Sequence, residues 1–172
     1  TSINTSFGST VVVPGAGIIL NNTMDDFSAR PGVANVYGLV GSEANSIAAG
    51  KRPLSSMSPT VVLRRGKVAA VAGGSGGPLI ITGTAQVLLN ALVFGMDAEA
   101  AVAAPRLHHQ WMPPVLFLET PIRAIDDVPL ERIGHTVHRR PGGAAVQAIL
   151  RRPGGLLDGA SDPRKGGRAS GW

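Results

Sequence analysis

The run Gly73-Gly74-Ser75-Gly76-Gly77-Pro78 lies between an apolar stretch of strand length and one of helix length. Backbone N–H groups unshielded by side chains, just ahead of a helix, make an anion site. Such a site suits a phosphate or the oxyanion of an acyl transfer. No Lys-Ser/Thr pair follows, so the run is not a P-loop, and its glycine spacing is not that of a dinucleotide-binding turn. A close strand–helix crossing that needs glycine for packing is the other reading. Ser75 within the run stands as a minor nucleophile option, because the context of a nucleophile elbow is incomplete. Asp25-Asp26 follows a strand-like run, as a solvated turn or cap, or as the acidic partner of a substrate ammonium. Ser55-Ser56, close to Arg52, offers hydroxyls to a carboxylate. His108-His109 has no third ligand at helical or strand spacing, so no metal centre is expected.

The elements that must position these residues are short. Residues 9–13 and 17–21 read as a hairpin through Pro14-Gly15-Ala16, and 59–65 with 67–72 as a second one around Gly66-Lys67. The latter pair is largely apolar, which predicts a sheet covered on both faces. Between the hairpins, 22–57 shows no periodicity, and a loop of that length in a folded domain is usually functional. A helix is predicted from Pro78 to about Phe94 with Gly95 as its stop, and another over Asp97–Ala104 with Asp97 as cap. A strand at 115–119 and a helix at 126–133 follow. Strands at 135–139 and 144–151 are joined by Pro141-Gly142-Gly143, and Pro153-Gly154-Gly155 is a further turn. The prediction is an α+β or layered body, a single domain over 1–172 with no repeat and no linker.

Composition narrows the function classes. The 172 residues include 23 Gly and 13 Pro, with 44% apolar and 4% aromatic side chains, which excludes a long-helix bundle or coiled coil. No run of 18 apolar residues predicts a membrane-spanning helix, and no basic, apolar signal peptide opens the chain. Without Cys there is neither disulfide nor thiolate metal site. The net charge of +5 arises from Arg139 onward, where basic residues come as pairs at strand ends and turns with no aromatic interleaved to stack bases. That pattern predicts a solvated basic surface and no nucleic-acid partner.

Several runs together resemble the small, C-terminal subunit of the γ-glutamyltranspeptidase (glutathione hydrolase) family. They are Ser2-Ile3-Asn4-Thr5-Ser6-Phe7-Gly8, Leu20-Asn21-Asn22-Thr23-Met24-Asp25-Asp26-Phe27-Ser28 and Lys51-Arg52-Pro53-Leu54-Ser55-Ser56-Met57-Ser58-Pro59-Thr60. Gly76-Gly77, Ala104-Pro105-Arg106-Leu107-His108-His109-Gln110-Trp111, Gly159-Ala160-Ser161-Asp162-Pro163-Arg164 and the terminal Gly171-Trp172 follow in the family's order.

The resemblance implies an N-terminal-nucleophile hydrolase, α+β, with a four-layer αββα sandwich of which this chain is the small-subunit part. It implies a precursor that cleaves itself into a heterodimer, and no cofactor or metal. The new N-terminal Thr attacks the γ-amide of glutathione, with its own amine as base, and a γ-glutamyl ester forms. Water or an acceptor amino acid or peptide then resolves the ester. By motif, Gly76 and Gly77 form the oxyanion hole and Ser2 supports the nucleophile. Ser55 and Ser56 hold the α-carboxylate, and Asn4, Thr23 and Asp26 the α-ammonium. Residues 31–42 form a lid on which Tyr37 shields the site. Partners are then the large subunit and γ-glutamyl compounds, in a periplasmic or extracellular setting.

The chain departs from the family pattern in places. The nucleophile precedes the Asn4 motif by about one hairpin, so Thr1 is not at its position and this chain alone is expected to be inactive. Gly74-Ser75 stands where Ser/Thr-Pro is usual, Pro78-Leu79 replaces polar residues, and Thr23 occupies a Gln/Glu position. The alternatives are a cephalosporin (glutaryl) acylase-like relative, against which Asp26 argues, and a non-catalytic binding or assembly module.

Overall fold

Pro14 and Gly15 turn the chain back on itself, and Val12–Val13 (β1) pairs antiparallel with Ile18–Ile19 (β2). The computed structural model describes residues 3–120 and 127–171. They fall into two units, residues 1–55 and 56–172. In the first unit, β1 and β2 are the only strands among the described residues, and 3₁₀ turns at Thr5–Phe7, Thr23–Asp26 and Glu43–Asn45 punctuate the rest. This Asn-, Ser- and Gly-rich segment buries little of its apolar material in this chain, with Phe27 in its core and Phe7, Ile18 and Val36 exposed. Side-chain amides therefore supply hydrogen bonds that a ladder would otherwise make. Asn22 Nδ2 donates to Thr5 Oγ1 at 2.8 Å, and Asn35 Oδ1 accepts from the N–H groups of Tyr37 and Leu39 at 3.0 Å each. Gly8 is obligatory: its φ is +63°, and a Cβ would stand 2.3 Å from Leu20 O.

The second unit is built on an antiparallel sheet of Thr60–Arg64 (β3), Lys67–Ser75 (β4), Ala145–Arg151 (β8) and Leu157–Ala160 (β9), in that spatial order. Helices Leu79–Leu92 (α1) and Ala98–Ala103 (α2) cover one face. The core between them is made of small residues, with Ala72, Ala144, Val146 and Ala148 packed against Ile80, Val87, Ala101 and Val102. Gly83 lets α1 approach closely, since a Cβ there would lie 3.3 Å from both Ala144 Cβ and Val146 Cγ2. Asp97 caps α2 as predicted, with Oδ1 accepting from Ala100 N at 2.7 Å. A second sheet holds Leu107–His108 (β5), Val115–Glu119 (β6) and Thr136–Arg140 (β7), with Asp127–Arg132 (α3) between β6 and β7 in sequence. No helix among the described residues is long and apolar enough to cross a membrane.

Three expectations change. The β3–β4 turn is Arg65-Gly66, both with positive φ, one residue before the predicted pair. β4 continues through Gly73, Gly74 and Ser75, because glycine does not break a strand whose partners, here Ala145 to Gln147, fix its register. The strands around Pro141-Gly142-Gly143 are not a hairpin: β7 pairs parallel with β6, and β8 belongs to the other sheet. The β3–β4–β8 face away from the helices carries Val61, Leu63, Val71 and Ile149, which are exposed in this chain by itself.

Candidate active site

The 3₁₀ turn Thr23–Asp26 ends at Asp26, where its carboxylate meets Asn4. Asn4 Nδ2 donates to Asp26 Oδ2 at 3.0 Å, and the Tyr37 hydroxyl donates to Asn4 Oδ1 at 2.5 Å. Asn4 itself has φ 71° and ψ −155°, a conformation that costs energy in a non-glycine residue and persists where its surroundings dictate it. Partial burial raises the Asp26 pKa above the ordinary carboxylate value. The Asn4 hydrogen bond opposes this, and the Asp25 charge adds to it. Burial, reinforced by the Asp26 charge, likewise raises the Tyr37 phenol. A carboxylate that is short of solvation gains most from an arriving cation.

The segment carrying Tyr37 is a small hairpin of its own. Ala34 bridges Val40 antiparallel, Gly32 N donates to Gly41 O at 2.9 Å, and Asn35 pins the tip as described above. Thr23 directs its hydroxyl to Asn21 Oδ1 at 2.6 Å. Ser55 is exposed at the end of the first unit, and Ser56 is half-buried at the start of the second. Sequence reasoning passed over Asn45. Its Nδ2 donates to Asp26 O and its Oδ1 accepts from Leu54 N, each at 2.8 Å.

In the second unit Gly76 and Gly77 join β4 to α1 with φ of 140° and 60°. A Cβ on Gly76 would stand 2.7 Å from Ala144 Cα, so backbone alone fits there. Side-chain-free amides at the mouth of a 14-residue helix are the kind of donor that an anion site requires. Ser75 Oγ accepts from Lys165 Nζ at 3.2 Å. Thr1 and the predicted Ser2 lie outside the described residues.

His108 is buried with both ring nitrogens engaged, Nδ1 by Thr82 Oγ1 at 2.7 Å and Nε2 by Gln110 Oε1 at 2.8 Å. His109 Nδ1 instead accepts from Trp111 N. Among the described residues no three metal-ligating groups cluster. The expectation of a solvated basic C-terminal surface fails at Arg164. It donates to both Glu119 oxygens, with Nε at 2.8 Å from Oε1, and to Asp162 Oδ1 at 3.0 Å. Arg106 donates to Asp162 Oδ2 at 2.8 Å. Asp162, Glu119 and Arg106 are 1%, 3% and 4% exposed. Asp-Pro-Arg and Pro-Arg-Leu carry no periodic sign of burial, and only the pairing of opposite charges across 56 residues explains it.

A family model described as gamma-glutamyltranspeptidase matches residues 1–172. The glutathione hydrolase proenzyme of Escherichia coli (strain K12) is 47% identical over 163 residues, which cover 95% of this chain and 28% of that protein. The crystal structure of the Helicobacter pylori gamma-glutamyltranspeptidase T380A mutant superposes with a TM-score of 0.89 at 46% identity, covering 96% of this chain and 91% of that one. A cephalosporin acylase from Bacillus halodurans shares the fold at TM-score 0.83 but only 28% identity, over 99% of this chain and 31% of that one. This chain therefore spans under a third of the curated relative's length. Its fold is the α+β, αββα type of the N-terminal-nucleophile hydrolases that the resemblance implied. The chain belongs to the γ-glutamyltranspeptidase family.

Proposed function

We propose that this chain is the small-subunit part of a γ-glutamyl hydrolase/transpeptidase that matures from a proenzyme and works with a large subunit. Its substrates are glutathione and related γ-glutamyl compounds, and its setting is periplasmic or extracellular. The observation that carries this reading is the Asp26 carboxylate, half-buried, oriented by Asn4 and raised in pKa. A donor with an α-ammonium supplies a cation to this acid, whereas a glutaryl donor does not.

In this mechanism a threonine hydroxyl, upstream of Asn4 by about one hairpin, attacks the γ-amide carbonyl. The oxyanion of the tetrahedral intermediate accepts hydrogen bonds from the Gly76 and Gly77 amides. The C–N bond then breaks, the amine leaves with a proton, and a γ-glutamyl ester remains. Water or an acceptor amine attacks the ester and regenerates the hydroxyl. Asn4, Thr23 and Asp26 hold the ammonium, and Ser55 and Ser56 hold the α-carboxylate. The 31–42 hairpin is the lid, with Tyr37 as its inner side chain.

The test is Asp26→Ala in the full proenzyme, assayed on γ-glutamyl and glutaryl anilides. The γ-glutamyl substrate is expected to lose about 2–5 kcal/mol in kcat/KM, the glutaryl one far less. Equal losses would make Asp26 a structural cap and leave the acylase-like reading in front.

A further inference from the structure

Asn45 sits at the C-terminal end of the 3₁₀ turn Glu43–Asn45, half-buried, and its side chain joins two backbone groups and also reaches Ser28 Oγ at 3.5 Å. Nδ2 donates to the carbonyl of Asp26 and Oδ1 accepts from the N–H of Leu54, each at 2.8 Å. The main chain of Asn45 is held too. Its carbonyl accepts from Ser28 N at 2.9 Å, its N–H donates to Ser42 O at 2.9 Å, and the neighbouring Ser46 bridges Ser28 in parallel. Beside this strap Gly41 packs against Ser28, where a Cβ would lie 1.9 Å from Ser28 Oγ.

We infer that Asn45 is a positioning residue that fixes the distance between the ammonium-binding and carboxylate-binding ends of the γ-glutamyl head group, by tying the backbone of Asp26 to that of Leu54-Ser55. This inference rests on the proposed function. The α-ammonium and α-carboxylate of a γ-glutamyl donor are attached to one carbon, so their protein partners must keep a short, fixed separation. Asp26 and Ser55 lie 29 residues apart in an aperiodic segment, with no strand ladder between them to set that separation. A primary amide is the side chain that offers a donor and an acceptor on one planar group. Aspartate retains the acceptor and lacks the donor, and glutamine is one methylene too long for both 2.8 Å bonds at this backbone position.

The test compares wild-type, Asn45→Ala and Asn45→Asp in the full proenzyme, with γ-glutamyl and glutaryl anilides as donors. Both variants are expected to raise KM for the γ-glutamyl donor by about tenfold or more, with kcat nearly unchanged, because the chemistry lies at the other end of the substrate. Glutaryl kinetics should barely move, as that donor engages only the carboxylate end. The double variant Asn45→Ala/Asp26→Ala should be no worse than Asp26→Ala alone, the non-additivity expected of residues acting through one another. Asn45→Asp is nearly isosteric and preserves the Leu54 bond, so it isolates the Asp26 arm. Wild-type KM in both variants would overturn the inference while leaving the functional reading intact. Uniform losses on both donors, or failure of both variants to mature, would make Asn45 a folding residue and overturn it equally. A wild-type proenzyme inert towards the γ-glutamyl donor would overturn the functional reading, and the inference with it.

Discussion

Under the proposed function Asp26 pairs with the substrate ammonium, and its environment predicts a pH signature. Partial burial, with the Asp25 charge adding to it, holds its pKa above the ordinary carboxylate value of about 3.9. Only the ionised form pairs with an ammonium. Binding of a γ-glutamyl donor is therefore complete above the raised pKa and is lost as pH falls through it. That acid limb should appear in kcat/KM for a γ-glutamyl anilide at a higher pH than an ordinary aspartate would give. It should be missing for a glutaryl anilide, whose binding needs no anion. Superimposable acid limbs for the two donors would show that Asp26 does not meet the ammonium. At this scale the sequence was informative about residue types and silent about their support. Asp26, Ser55 and the glycine pair could be singled out because acids, paired hydroxyls and glycine runs are chemically conspicuous. Asn45 could not, since an asparagine in an Asn-rich loop looks the same whether it faces water or joins two backbones.

Among the elements, the β4–α1 junction carries the sharpest constraint. Gly76 combines a φ of 140° with a Cβ position 2.7 Å from Ala144 Cα, which is backbone and cannot swing aside. Gly76→Ala must therefore shift the turn, and with it the amides of residues 76 and 77. Loss or misdirection of one oxyanion donor lowers kcat by about 10²–10³-fold. Steady-state kinetics of a matured Gly76→Ala enzyme should show that fall with KM changed much less. Near-normal kcat would return the glycine run to its packing reading. The packing reading of the glycine run holds, since Gly74, Gly76 and Gly83 all abut β8 or the Ala144 that precedes it, and the anion reading rests on that kinetic test. Helices α1 and α2 were legible from their lengths and their Pro78 and Asp97 signals, because capping is local chemistry. Partner choice was not. The Pro141-Gly142-Gly143 turn looks like a hairpin connection in sequence, yet it carries the chain from one sheet to the other, a choice made by distant strands.

For the molecule as a whole, the second unit is locked by charges more than its composition suggests. Arg106, Asp162, Arg164 and Glu119 join the loop before β5, the end of β6 and the segment after β9 around the carbonyls of Val102, Ala104 and Ala144. Burial works against the charge on Asp162. The hydrogen bonds from the Val146 and Arg164 amides and from Arg106 outweigh it and hold its pKa below the ordinary carboxylate value. The sign follows from linkage: the contribution of Asp162 is fully present above the unfolded-state pKa of about 3.9. It is lost only as pH falls below that, through the depressed folded value. Between pH 5 and 8 the contribution of Asp162 should thus be insensitive to pH. Asp162→Asn keeps the shape, but it places an amide NH₂ or a neutral oxygen before donors and strands the buried Arg106 guanidinium. Breaking one side of such a pair costs about 3–5 kcal/mol. In a domain of this size that corresponds to a Tm lower by roughly 10 °C or more. Thermal unfolding of the matured protein at pH 7 should show this loss, and the gap between variant and wild-type should narrow as pH falls below about 4, where Asp162 of the unfolded chain takes up a proton that the folded one resists. A variant within about 1 kcal/mol of wild-type at pH 7 would mean that water enters the cluster and solvates Arg106, and that the sheets and helices hold without it.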